Sequence, residues 1–96
     1  MEIEYEGFKL SLDMSQKYKM NSNQTVIHAM TEEGEPFATV SKCLPESHII
    51  NGENIVDEPN MPGILDVLVC HNIVVDTGRF IQMGFNQYPV VKMCEL

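Results

Sequence analysis

Asn60-Met-Pro-Gly-Ile-Leu-Asp-Val-Leu-Val69 carries the helical signature around which the chain is read. Asn60 is a candidate N-terminal cap, and Pro62 stands in the first turn, where its missing N–H costs nothing. Ile64, Leu65, Leu68 and Val69 recur at helical spacing, and Asp66 falls on the polar side. The spacing predicts one short helix over 62–71, ended by Asn72 in left-handed conformation. Ile73-Val-Val75 then predicts a strand, Asp76-Thr-Gly78 a turn or kink, and residues 80–83 an extended continuation. Gly84-Phe-Asn-Gln87 reverses the chain into a last strand over 88–94. Pro89 has no donor for a ladder, which predicts an edge strand or a strand start.

Upstream, Ile3 and Tyr5 alternate with Glu2, Glu4 and Glu6, and the parity flips after Gly7 so that Phe8, Leu10 and Leu12 take the apolar face. Residues 2–12 predict an N-terminal strand with one solvent face and a bulge or tight turn at Gly7. Residues 13–23 are polar, Asn21-Ser-Asn23 marks a loop, and residues 17–20 are candidates to begin the next strand. Thr25-Val-Ile-His-Ala-Met30 and Phe37-Ala-Thr-Val-Ser-Lys-Cys-Leu44 flank Glu32-Glu-Gly-Glu-Pro36, the clearest hairpin in the chain. Pro45 ends it, and Asn51-Gly52 has the chemistry of a type I′ turn and marks a candidate second hairpin. The order β-β-β-α-β-β predicts a single α+β domain over 1–96. It would be one mainly antiparallel sheet of about five strands with one helix packed on one face.

The formal net charge is -8, from 14 acidic and 6 basic residues. With no basic stripe, direct nucleic-acid binding is not expected. An acidic surface instead suits a basic protein partner, or solubility alone. No apolar run approaches the roughly 20 residues of a membrane span. The opening Met-Glu-Ile-Glu-Tyr-Glu is unlike a secretory signal, so a cytoplasmic protein is expected. Cys43, Cys70 and Cys94 are widely spaced and read as free buried thiols of a reducing compartment.

Val74-Val-Asp-Thr-Gly78 is similar to the catalytic triplet of aspartic proteases, but too few residues follow it to build that barrel, and Arg79 stands where a small residue belongs. The alternative is structural: Asp76 and Thr77 bond the backbone of a turn and Gly78 takes a conformation closed to other residues. Cys70-His71 with Cys43, Cys94, His28 and His48 shows no metal-ligand spacing, so neither metal nor cofactor is expected. Neither a catalytic residue nor an enzymatic activity is read. Arg79, the one arginine, is either an anchor for a partner's carboxylate or phosphate, or half of an internal ion pair that holds its turn. Phe85 and Tyr88 either join it in an exposed binding patch or close the end of the sheet. Seven methionines are many for this length, and Met14, Met20 and Met61 fall in predicted loops, where exposed methionine suits adaptable binding surfaces.

Several short motifs lie between residues 24 and 93: Glu33-Gly-Glu-Pro-Phe-Ala-Thr-Val-Ser41, Leu44-Pro45, Asp57-x-x-Asn60-x-Pro62, Thr77-Gly-Arg79 and Gly84-Phe-x-x-Tyr-Pro-Val90. In these the chain resembles a small family of unknown function found among accessory proteins of bacterial conjugative elements and phages. The resemblance implies a mobile-element setting within a bacterial host cell. Such elements carry small acidic proteins that block host defence or adjust host regulators. The expectation is a non-enzymatic protein that binds a basic surface on a host protein and inhibits a defence nuclease, as an anti-CRISPR or similar inhibitor does. Glu32, Glu33, Glu35, Arg79, Phe85 and Tyr88 are the candidate partner-binding residues, with Glu2, Glu4 and Glu6 beside them. The alternative is an accessory or regulatory protein of the element with no anti-defence role, a homodimer joined through the terminal strand.

Overall fold

The computed structural model describes residues 1–19, 24–43 and 52–94. Glu6 and Gly7 both take positive φ, 51° and 84°, as the two central residues of a type I′ turn must. The N-terminal alternation is therefore a hairpin and not one strand. β1 (Glu2–Tyr5) runs antiparallel to β2 (Phe8–Lys17), with Ile3 opposite Leu10 and Tyr5 opposite Phe8. Opposite residues share a face, and across a two-residue turn they differ in parity; that is the flip visible at Gly7. β2 runs on through the polar stretch to Lys17, past a register shift between Asp13 and Gln16. There the Ser15 hydroxyl and amide both donate to Asp13 Oδ1, at 2.7 and 3.0 Å. The hydroxyl first, then the amide, holds the Asp13 carboxyl below its usual range.

β3 (Thr25–Met30) pairs with β2 on one side and β4 (Pro36–Thr39) on the other, around a turn in which Gly34 has φ 83°. The predicted hairpin is there, with a shorter return strand. The loop at Asn21, Met20, Leu44-Pro45, His48 and Asn51 lie outside the described residues.

Among the described residues the strands form two sheets, not one: β1-β2-β3-β4, and a second in which β5 (Glu53–Ile55), β7 (Asn86–Met93) and β6 (Val74–Met83) stand in the order β5-β7-β6. The physical reason is cover. The helix α1 (Ile64–Cys70) has seven residues, about 10 Å of length, too little for the apolar face of a four-stranded sheet. The second sheet supplies the rest. Ile3, Leu10, Leu12 and Ile27 of the first sheet meet Val74 and Val91 of the second, with Ile64 and Leu68 of the helix closing one side. At the centre of β7 the residues Tyr88, Pro89, Val90 and Val91 are all buried. Val91 faces this main core, while Tyr88 and Val90 pack with Ile55 and Ile81 on the other face.

Pro89 thus sits in a central strand, against the edge position its missing donor predicts. Its carbonyl accepts from Val56 N at 3.1 Å, one residue past the end of the β5–β7 ladder at Ile55 and Val90. The return bond that proline cannot donate is therefore one at the end of that ladder and not in its middle.

The helix starts at Gly63, with φ 88°, and its first amides are not bound by Asn60. The Glu58 carboxylate accepts from Gly63 N at 2.6 Å and Leu65 N at 2.8 Å, where the helix dipole favours negative charge. Asn72 ends it with φ 58°, as predicted. Ile64 and Leu68 face inward and Asp66 is exposed. Val69, placed in the predicted stripe, is exposed, and Met61 takes its place in the core. Tyr5 ties this unit to β1 by donating to the Pro62 carbonyl at 2.9 Å.

A buried polar joint links the sheets beside the isolated bridge of Ser41 and Val56. Gln24 Nε2 donates to Lys42 O at 2.7 Å, and Asn54 Nδ2 donates to Thr25 O at 2.8 Å. Ser41 Oγ accepts from Ile27 N at 3.0 Å and lies 2.7 Å from the Tyr18 hydroxyl.

Candidate functional site

Glu32, Glu33 and Glu35 occupy the turn between β3 and β4, and all three are exposed. The turn is closed by its backbone: Gly34 N donates to Thr31 O at 2.9 Å and Thr31 N to Glu35 O at 2.8 Å. The carboxylates are left to point into solvent. This turn and the Glu6-Gly7 turn lie at the same end of the first sheet, because β1-β2 and β3-β4 are consecutive hairpins. Glu2 and Glu4 are exposed on the outer face of that sheet, opposite Ser11 and Lys9. Glu2, Lys9, Ser11 and Glu32 line one open hollow of this end.

Arg79 lies on the other sheet, and its guanidinium donates to the carboxylate of Glu53 across β7. This is the internal ion pair of the two readings. It stands beside a bulge between Asp76 and Arg79. Asp76 Oδ1 accepts from Gly78 N at 2.9 Å, and the Thr77 hydroxyl donates to Val90 O at 2.6 Å and accepts from Arg79 N at 3.2 Å. Gly78 has φ 79°. All three residues of the protease-like triplet are thus engaged as the turn reading requires.

Phe85 and Tyr88 part company. Gly84 has φ 62° and Phe85 does not take positive φ, so this two-residue turn is type II′ and projects Phe85 fully into solvent. Tyr88 is buried, 5% exposed, against Ile55 and Val90, with Lys42 Nζ 5.8 Å from its ring centre. It does not belong to an exposed patch. Val91 packs into the main core on one face of β7, and Tyr88 and Val90 pack with Ile55 and Ile81 on the other; the run Tyr88-Pro-Val-Val91 is the sequence signal for that.

Cys43, Cys70 and Cys94 are free, but none is buried. Cys70 follows the inward Leu68 by two residues, which turns it to the opposite side of the helix. His71 Nδ1–H donates to Val67 O at 2.9 Å, closing the helix end. Among the described residues no three His, Cys, Asp or Glu side chains gather around one point, and no helix is long and apolar enough to cross a membrane. Met14 is half-buried and Met61 buried, so neither offers an exposed methionine surface.

One aromatic pair is not legible in the alternation of the strands. Phe8 and Phe37 pack ring on ring, with centroids 5.3 Å apart and planes tilted by 51°, yet they remain 54% and 36% exposed. Phe37 sits in the register shift between β3 and β4, between the paired Pro36 and Ala38, a position that alternation does not predict. Comparison with protein-family models, curated proteins and solved structures finds no match for the chain.

Proposed function

We propose that the chain is a non-enzymatic protein-binding module that takes a basic surface of a host protein on the acidic end of its first sheet. The observation that carries this reading is the turn holding Glu32, Glu33 and Glu35, all exposed. An acidic surface of this kind steers a basic partner by long-range attraction. The setting in a phage or conjugative element, and inhibition of a defence nuclease, rest on the motif resemblance; a nuclease surface that holds nucleic acid has the required charge. The test is reversal of Glu32, Glu33 and Glu35 to lysine, measured by stopped-flow association with a partner captured from a bacterial host lysate. Association is expected to slow about tenfold or more at low salt, with a flatter salt dependence. Unchanged rates from low to high salt would make these acids a solvated face only.

A second reading, an accessory protein that self-associates, is favoured by β6. It is the outer strand of its sheet and exposes Val75, Phe80 and Met83. Contact through the terminal strand is not available along residues 90–92, where β7 is paired on both sides. Under this reading Phe80→Lys would convert a dimer to a monomer in sedimentation equilibrium.

A further inference from the structure

The tips of the first two hairpins enclose a notch. Gly7, Phe8 and Lys9 form one side, and Thr31, Glu32 and Glu33 the other. Beside it Phe8 packs against the tilted ring of Phe37, both outside the main core cluster and both open to solvent. Two adjacent aromatic rings open to solvent form a small apolar patch, and burial of such rings supplies much of the binding energy at interfaces. The charge around the rings is one-sided: residues 1–10 and 31–37 contain six glutamates and one lysine. A second copy of the chain is the wrong occupant, because it would bring the same acidic tip, and each copy carries a net charge of -8.

We infer that the Phe8–Phe37 pair is the anchor of the binding surface, and that the occupant is a basic protein segment carrying an exposed aromatic or large aliphatic side chain among its lysines or arginines. The side chain lies against the two rings in the notch, and the cations meet Glu32, Glu33 and Glu35. This rests on the proposed reading of the acidic turn and adds to it the apolar half of the partner. It also divides the labour: the glutamates bring the partner in, and the rings hold it. Interface cores are apolar and aromatic while rims are charged, and rim charges govern association more than dissociation.

Three synthetic peptides of equal length test this against the whole, isotope-labelled chain by amide chemical-shift titration. The first is a lysine-rich peptide with a central tryptophan, the second has serine in its place, and the third is a glutamate-rich peptide with the tryptophan. The first is expected to move the amides of Gly7, Phe8, Thr31 and Gly34 and to bind about tenfold tighter than the second. Phe8→Ala and Phe37→Ala should each abolish that difference, with melting temperature recording that the fold is kept. Glu32→Lys should weaken both lysine peptides while leaving their ratio intact, and it leaves the ring pair untouched. Equal binding of the first and second peptides at this tip would overturn the aromatic anchor and leave the acidic reading standing. Equal binding of the first and third would overturn the charge half, and with it the proposed function. Shifts confined to other strands, or none, would overturn both.

Discussion

Arg79 is more than half exposed while the Glu53 side chain it binds is 10% exposed, so the ion pair matters mainly for the buried carboxylate. Removing a charged hydrogen-bond partner from such a group costs more than losing a surface pair. Arg79→Ala is expected to lower stability by about 1–2 kcal/mol in urea unfolding, and Glu53→Gln, which keeps an acceptor without the charge, by less. The bulge beside it has a separate requirement. Gly78 holds φ 79° with open space where a side chain would begin, so the cost of Gly78→Ala is backbone strain alone, about 1 kcal/mol. Burial lifts the Tyr5 hydroxyl above 10.0, with the charges of Glu6 and Glu58 adding to it; burial also raises Tyr18, against the opposing Ser41 hydrogen bond. The unfolded chain therefore gives up these protons first. Their contribution is complete below the ordinary tyrosine value and is lost as pH rises through the raised, folded value. The melting temperature should hold up to the ordinary tyrosine range, fall as pH rises above it, and fall less in Tyr18→Phe.

At the scale of elements, the turns govern where strands begin. Glu6 sits at φ 51°, a conformation that asparagine adopts more readily in a type I′ turn. Glu6→Asn is expected to stabilise by about 0.5–1 kcal/mol, read from the same urea titration. The helix is too short to persist alone and depends on its inward face and on Glu58. Leu68 is fully buried, and Leu68→Ala should cost about 2–5 kcal/mol. Glu58→Ala leaves two helix amides without their carboxylate and should cost about 1 kcal/mol, with no change in the sheets by amide exchange. The short motifs Glu33-Gly-Glu-Pro36, Thr77-Gly-Arg79 and Gly84-Phe85 fall on such places. Gly34, Gly78 and Gly84 all have positive φ in turns or the bulge, and Asp57-x-x-Asn60 precedes the helix. Much of what these motifs encode is thus turn chemistry.

At the scale of the whole fold, the two sheets and the helix of the described residues share a core, and the polar joint sets how the sheets meet. Asn54 donates to Thr25 O of the first sheet while its own strand pairs with β7 of the second. Asn54→Ala would leave a buried carbonyl with one donor fewer and is expected to cost about 1–3 kcal/mol. Because the joint couples both sheets, unfolding should remain a single transition, by circular dichroism and tyrosine fluorescence alike.

Much of this was legible in short stretches. The hairpin across Glu32-Glu-Gly-Glu-Pro36, the helix with its left-handed Asn72 and the reversal at Gly84 each depend on neighbours a few residues apart. Local φ preferences and the periods of helix and strand decide them. The sequence alone therefore determined an α+β domain of mainly antiparallel strands with one helix, and an acidic turn. The tertiary structure decided which strands pair. It made β7 central, packed Tyr88 against Ile55 and Val90, and ended the β5 ladder one residue short of Pro89. It gave Arg79 a partner 26 residues away, and it brought Phe8 beside Phe37. Those outcomes depend on which apolar faces are left uncovered once each hairpin has closed, and that is a property of the assembled core rather than of any one stretch of chain.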